Sequence, residues 1–283
     1  MKPIDGYDKL RGGYYTPKKI AKYITEWAVR SSTDTVLEPS CGDGCFLDVA
    51  CARLSELGCP AESLPSQILG IELDSSEVRK AAQYQATVIN KDYFTYYREH
   101  DACYDVIVGN PPFIRSQSFN EEFRQIAFEL MRKHGFHPNR LTNIWLPFLL
   151  LSCKKLADNG RIGMVIPAEL FQVDYAAEAR SFLSEFFDSL ILITFKQLVF
   201  DDIQQEVILL LGEKSSKQKG IRVIELDSID DLAQGVAGLE HAEVKTLDHN
   251  SEKWVKYYLS NEELHLLKKL ANDQRLTPTT ALF

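Results

Sequence analysis

The sequence predicts an α/β protein built on a doubly wound, mainly parallel sheet of seven strands, and three observations carry that expectation. Short apolar runs at 36–38, 68–73, 86–90 and 104–108 alternate with segments whose apolar residues recur at helical spacing. The first, second and fourth runs each stop at a turn rich in glycine, proline or acid, which marks the edge where such sheets bind ligands. Two later runs, 189–195 and 206–211, are joined only by residues 196–205, which is short for a parallel crossover. They therefore predict an antiparallel hairpin at one edge of the sheet.

Taken in order, residues 1–13 are polar and glycine-bearing and read as a loose arm. Tyr14-Tyr15-Thr16-Pro17 opens a helix, with Thr16 as N-cap, Pro17 at the first helical position, and Ile20, Tyr23, Ile24 and Trp27 on one face. The stretch from Val36 to Leu47 reads as strand, two-glycine turn and helix start. Gly42 and Gly44 there let backbone approach a ligand, and the helix offers free N–H groups. The next strand ends in Glu72-Leu73-Asp74, and a carboxylate at that place in a βαβ unit accepts from ribose hydroxyls. A third strand leads to Lys91-Asp92-Tyr93-Phe94, an acid beside aromatic rings.

The fourth strand delivers Asn110-Pro111-Pro112-Phe113. Two prolines donate no backbone N–H, so the chain must leave the sheet as a stiff loop. The loop offers the Asn110 amide oxygen, the Pro111 carbonyl and the Phe113 ring, which suits a planar group bearing an exocyclic NH2. Helices are expected over 119–133, 141–158 (with Asn159-Gly160 as its C-terminal stop) and 175–187, and a strand over 161–166. After a basic link at 214–220 come one strand, an acidic stretch, the aromatic cluster Trp254, Tyr257 and Tyr258, and a helix capped at Ser260. These divide the chain into an arm (1–13), a main domain (14–226) and a linker with a small C-terminal appendage (227–283).

The chain has 283 residues, 45% of them hydrophobic and 25% charged, an ordinary globular composition. Its longest apolar runs, such as 144–152, are too short to cross a bilayer, and no signal-peptide pattern opens residues 1–30, so a cytoplasmic protein without a membrane role is expected. Six cysteines without histidines at zinc spacing read as reduced thiols, and no metal site is expected. A net charge of −8 argues against this chain gripping a nucleic-acid backbone unaided.

In this order the stretches YYTP (14–17), VLEPSCGDGCFL (36–47), GIELD (70–74), KDYF (91–94), NPPF (110–113) and LVFDDIQQEVILLL (198–211) resemble the S-adenosylmethionine-dependent adenine-N6 DNA methyltransferases of restriction-modification systems. The likeness covers about residues 12–215. It implies a Rossmann-like methyltransferase domain that methylates the exocyclic N6 of adenine in double-stranded DNA, with the target base flipped out. It implies cofactor contacts at Tyr15, Thr16, Pro17, Glu38, Ser40, Gly42, Glu72, Leu73, Asp92, Tyr93 and Asn110. It also implies catalysis by Asn110, Pro111, Pro112 and Phe113, and stacking of the target base on Phe113 and Phe200.

The family places a recognition domain after the catalytic part, whereas 23 residues follow Ser260 here. The resemblance therefore implies a truncated recognition region or a separate recognition subunit. Methylation of an amino group in ribosomal RNA or on a protein glutamine stays open, because NPPF occurs there too, as does a non-catalytic cofactor-binding subunit. Taken alone, Asn-Pro-Pro is also a plain turn, Phe200 a hydrophobic plug, and Arg115, Arg124, Arg132, Lys133 and Arg140 either a substrate groove or a solvated helix face.

Overall fold

The computed structural model describes residues 15–199, 206–235, 242–246 and 253–271. Its strands are β1 (Val36–Glu38), β2 (Ile68–Glu72), β3 (Thr87–Asn90), β4 (Tyr104–Gly109), β5 (Leu156–Pro167), β6 (Ser189–Phe195), β7 (Val207–Glu213) and β8 (Gly220–Leu226). They form one sheet in the order β3-β2-β1-β4-β5-β7-β6-β8. Pairings from β3 across to β5 are parallel, β7 runs antiparallel to both β5 and β6, and β8 returns parallel to β6. The mainly parallel, doubly wound class is as expected, with eight strands rather than seven. The antiparallel pair β6–β7 forms, yet β7 inserts beside β5 and β8 covers β6, so the hairpin is not the edge. Parallel pairing puts β8 in register from Ser189↔Gly220 to Phe195↔Leu226, which satisfies the backbone groups β6 would otherwise expose.

Among the described residues the helices longer than one turn are α1 (Lys18–Ala28), α2 (Cys45–Glu56), α3 (Ser75–Ala81), α4 (Tyr93–Glu99), α5 (Glu121–Lys133), α6 (Trp145–Lys154), α7 (Ala177–Phe186) and α8 (Asn261–Ala271). Strand alternation assigns them to two layers. Val106 and Val108 of β4 join α1 and α2 in one core, while Ile107 joins α4, α5, α6 and α7 in the other. Trp254 and Tyr257 are buried in that second core, and Leu232 in the first, so residues beyond β8 help build the main body. The Trp254-Tyr257 pair is thus packing and not a base-stacking surface.

Three boundaries differ from the sequence reading, each for a local reason. Helix α1 begins at Lys18 with Pro17 at the cap position, because the Thr16 hydroxyl is engaged elsewhere. Helix α6 spans only Trp145–Lys154, and Asn159-Gly160 is not its stop but part of β5. Tyr104 pairs with Leu156 and Val106 with Arg161, so residues 157–160 bulge out of the ladder there, and the turn-forming dipeptide serves the bulge. Helix α7 starts at Ala177 after a 3-10 turn over Asp174–Ala176.

Candidate active site

The carboxyl ends of β1, β2 and β4 lie side by side, and the turns leaving them wall a cavity of about 460 Å³. Behind β1 the chain turns through Gly42 (φ 51°) and Gly44 (φ 92°), left-handed conformations that glycine adopts without strain. A side chain at Gly44 would also meet the Tyr84 ring at 2.7 Å. The turn directs the Gly42 N–H to Glu72 Oε2 at 2.9 Å, while the Asp74 N–H reaches Glu72 Oε1 at 2.7 Å. Two backbone donors from two turns thus fix the Glu72 carboxylate at the cavity wall.

Glu38 lies behind that wall. It is 2% exposed, and its Oε2 has no hydrogen-bond partner among the described residues. Burial, then the nearby Glu72 and Asp43 carboxylates, push its carboxyl well above the ordinary range. Asp92 caps α4, accepting from Thr95 N at 2.8 Å, and it also lines the cavity; burial raises its carboxyl. Tyr93 stacks on Phe148 (5.2 Å, 16°) and shares a hydrogen bond with Ser152 at 3.1 Å, so a ring edge borders the cavity from the core side.

Asn110 follows β4 and lines the cavity. Its Nδ2 donates to Thr16 Oγ1 at 3.2 Å, and its backbone carbonyl accepts from Ser40 Oγ at 3.4 Å. The side-chain amide is therefore held with its nitrogen turned toward the N-terminal segment. Pro111 is buried, Pro112 lines the cavity, and Phe113 is half-buried between the two cores. The loop is fastened downstream as well, because Ile144 N donates to Ile114 O at 2.9 Å and Arg115 bridges to Asn143. Tyr15 covers the cavity from the N-terminal side. It is 45% exposed, its hydroxyl donates to Glu77 at 3.4 Å, and Lys80 donates to the same hydroxyl at 3.3 Å.

Of the residues singled out in the sequence, Tyr15, Ser40, Gly42, Glu72, Leu73, Asp92, Tyr93, Asn110 and Pro112 line this one cavity. Thr16 touches it through Asn110, Glu38 backs it, and Pro17 starts the helix beside it. Phe200 and Tyr14 lie outside the described residues. Sequence reasoning missed Glu77, Ile114, Phe119, Asn120 and Phe148, which complete the wall. Asn120 carried a usable signal, since it caps α5 by accepting from Glu122 N and Phe123 N, and a capping Asn marks where a helix N-terminus meets the site. Among the described residues no cluster could hold a metal ion, and no helix is long and apolar enough to cross a membrane. His134 pairs with Tyr97 and His137 with Glu178, both away from the cavity.

This doubly wound sheet, with an acidic cavity over β1 and β2 and an Asn-Pro-Pro-Phe loop after β4, has the Rossmann-like methyltransferase fold. Residues 48–200, just over half of the chain, match the Eco57I restriction-modification methylase family, and the chain belongs to that family. It is 26% identical over 229 residues to the Type II methyltransferase M.AccI of Acinetobacter calcoaceticus, covering 78% of this chain and 40% of that protein. It is 26% identical over 220 residues to M.HincII of Haemophilus influenzae, covering 77% and 40%. The chain thus spans about two fifths of the length of these relatives. Among solved structures, a type I restriction-modification assembly superposes with a TM-score of 0.64 at 22% identity, over 96% of this chain and 54% of that one. The DrdV–DNA complex gives 0.68 at 14% identity, over 96% and 34%.

Proposed function

We propose that this chain transfers a methyl group from S-adenosylmethionine to the N6 amino group of adenine in DNA, as the modification component of a restriction-modification system. The observation that carries the proposal is the Asn110 side-chain amide, tethered by Thr16 in the lining of an acidic cavity. The cavity fits the cofactor. About 460 Å³ is within the usual range for small-molecule sites. The Glu72 carboxylate lines its wall and the buried Glu38, whose Oε2 has no partner among the described residues, lies behind it, which suits a ligand carrying sulfonium and ammonium charges. Glu72 would receive the ribose hydroxyls, Asp92 the adenine amino group, and Tyr93, Leu73 and Phe119 would flank the ring. Glu38, Ser40, Gly42 and the Tyr15-Thr16-Pro17 segment would hold the methionine end.

The cofactor, when bound, supplies an electrophilic methyl on sulfonium; the chain supplies position. An adenine amino nitrogen is a poor nucleophile because its lone pair is delocalised into the ring. The Asn110 amide oxygen and the Pro111 carbonyl accept its two N–H bonds, which favours a pyramidal nitrogen and frees the lone pair. The hydrogen bond from the Asn110 nitrogen to Thr16 supports this role, because it fixes the plane of the amide. The amino nitrogen would give up its surplus proton to water once the methyl is transferred, and the rate depends mainly on in-line proximity of the methyl and the nitrogen. The target base must leave the duplex, at a cost of about a few kcal/mol. Stacking on Phe113 would offset about 1–3 kcal/mol of that cost; Phe200, the second aromatic that the resemblance implies, lies outside the described residues. Site recognition would come from a further domain or subunit, consistent with the part-length match to relatives.

Labelled cofactor, unmethylated genomic DNA and nucleoside analysis test the reading. N6-methyladenine is the expected product. Transfer to ribosomal RNA or to a protein glutamine with none to DNA would replace this reading with the other amino-methylating class.

A further inference from the structure

A second cavity, of about 420 Å³, lies on the far side of the segment that follows the Asn-Pro-Pro-Phe loop. Ser118, Phe119 and Asn120 face the cofactor cavity, while Ser116, Gln117 and Glu121 face this one. Its charged lining is Arg124, Arg132, Arg140 and Glu121, with Gln117, Gln125 and Asn139 as amide donors. Glu121 is taken up by Arg124 in an ion pair within α5. Arg132 and Arg140 are exposed, as is the adjoining Arg115, and none of the three guanidinium groups pairs with a carboxylate among the described residues. In a chain of net charge −8 this is a local surplus of positive charge.

The cluster is also braced to the loop. Arg124 Nη1 donates to Ser116 O at 3.0 Å, and Ser116 Oγ donates to Arg140 O at 3.0 Å. Arg115, two residues after Phe113, bridges to Asn143 and so fixes the same strip against 139–143. Along α5, Arg124, Phe128 and Arg132 share one face, and eight residues correspond to about 12 Å of helix axis. Arg132 thus stands about two helical turns from the brace at Arg124, on the same face of the helix.

We infer that this groove binds the sugar-phosphate backbone of DNA beside the flipped base, with Arg132 and Arg140 as phosphate ligands and Arg124 as the brace that sets their height above the loop. The inference rests on the DNA reading above and names where on this chain the duplex is held. Planar guanidinium forks suit phosphate oxygens, and the uncharged amides of Gln117, Gln125 and Asn139 add sequence-independent donors.

The test is binding of the full chain to a duplex oligonucleotide across a salt series, with a non-reactive cofactor analogue present, alongside methyl transfer. In Arg132→Gln/Arg140→Gln the slope of log affinity against log salt should fall by about 2, with weaker binding on every sequence. Affinity for the cofactor analogue should stay unchanged. Lys22→Gln/Lys219→Gln, an equal change in net charge at two ion-paired surface sites, should leave the slope as in the wild type. An unchanged slope in the arginine variant while transfer to DNA persists would overturn the groove and leave the activity standing. Arginine-dependent binding without any transfer would overturn the activity and leave the groove. Absence of duplex binding by the wild type, or the same slope change only on RNA, would overturn the groove.

Discussion

Replacing Glu38 with Gln isolates the buried carboxyl behind the cavity. The side chain is fully buried, and burial first, then Glu72 and Asp43, hold its carboxyl well above the ordinary value of 4.5. In the unfolded chain it ionises near that ordinary value, so over a window above it the folded protein retains a proton that the unfolded chain has released. Stability from this group is full below the ordinary value and is lost as pH rises through the raised one. The slope is at most about 1.4 kcal/mol per pH unit, or about 3–6 °C in Tm for a domain near this size. Gln keeps the shape of the protonated acid and cannot ionise. Thermal unfolding without ligand from pH 5 to 8 should therefore show E38Q more stable than the wild type at the alkaline end, with the gap closing toward pH 5. Asp43 and Asp92, also raised by burial, contribute slopes of the same sign to both proteins, so the difference curve reports Glu38. A cationic cofactor analogue should reverse the order: it draws Glu38 into the carboxylate form, releasing a proton seen by calorimetry in buffers of different ionisation enthalpy. Parallel profiles for the two proteins, or equal proton release, would refute the placement of a neutral Glu38 under the cavity.

Asn110→Ala should lower transfer by about 10²–10³-fold, the loss typical of removing one aligned hydrogen-bonding group from a reacting centre. Cofactor affinity in that variant should change little, and turnover near wild type would contradict the proposed chemistry. Gly44→Ala places a Cβ at φ 92° and 2.7 Å from the Tyr84 ring. It should cost about 1–2 kcal/mol in backbone conformation and about 1–3 kcal/mol in crowding, read by denaturant unfolding, with weaker cofactor binding. Trp254→Ala, at a wholly buried position, should destabilise the main domain by about 3–5 kcal/mol. A change under about 0.5 kcal/mol would show that residues 253–258 do not belong to the core.

The fold class was readable because strand-length apolar runs and glycine-acid turns are local signals, and local signals suffice for β1 through β4. The placement of β7 between β5 and β6 was not. It depends on which partner fills an edge, a question decided by long-range register such as Arg161↔Glu213 and not by any residue's neighbours in sequence. Likewise Asn159-Gly160 reads identically as a helix stop or a bulge, and only the pairing of Leu156 with Tyr104 decides for the bulge. At the site, residues on strand ends were found because topology puts those ends together. Phe148 and Ile114 were missed because an apolar residue facing a cavity is written in sequence as one facing a core. Thr16 was assigned the wrong partner for a related reason: a threonine before a proline is a good cap, and nothing local reveals that Asn110, 94 positions away, takes its hydroxyl.

The net charge of −8 counted against a DNA-binding role, yet net charge is the wrong quantity for this molecule. Glu38, Glu72, Asp74, Glu77 and Asp92 gather at or behind the larger cavity, where a cationic ligand would gain from them. Arg124, Arg132 and Arg140 gather across the Ser116–Asn120 strip. Exposed charges separated by more than about 8–10 Å are largely screened at physiological salt, so the two fields act on different ligands with little mutual cancellation. Buried Glu38 is screened less, but burial itself keeps it from carrying full charge until a cation enters. On this reading the two ligands bind with little electrostatic coupling, because a cation entering over the acidic wall leaves the field of the arginine strip unchanged at physiological salt. Duplex affinity at fixed physiological salt should then be the same with a cationic analogue and with a neutral one of the same shape, an equality that titration would measure directly. Tighter duplex binding with the cationic analogue alone would mean that the acidic cluster is felt across the strip.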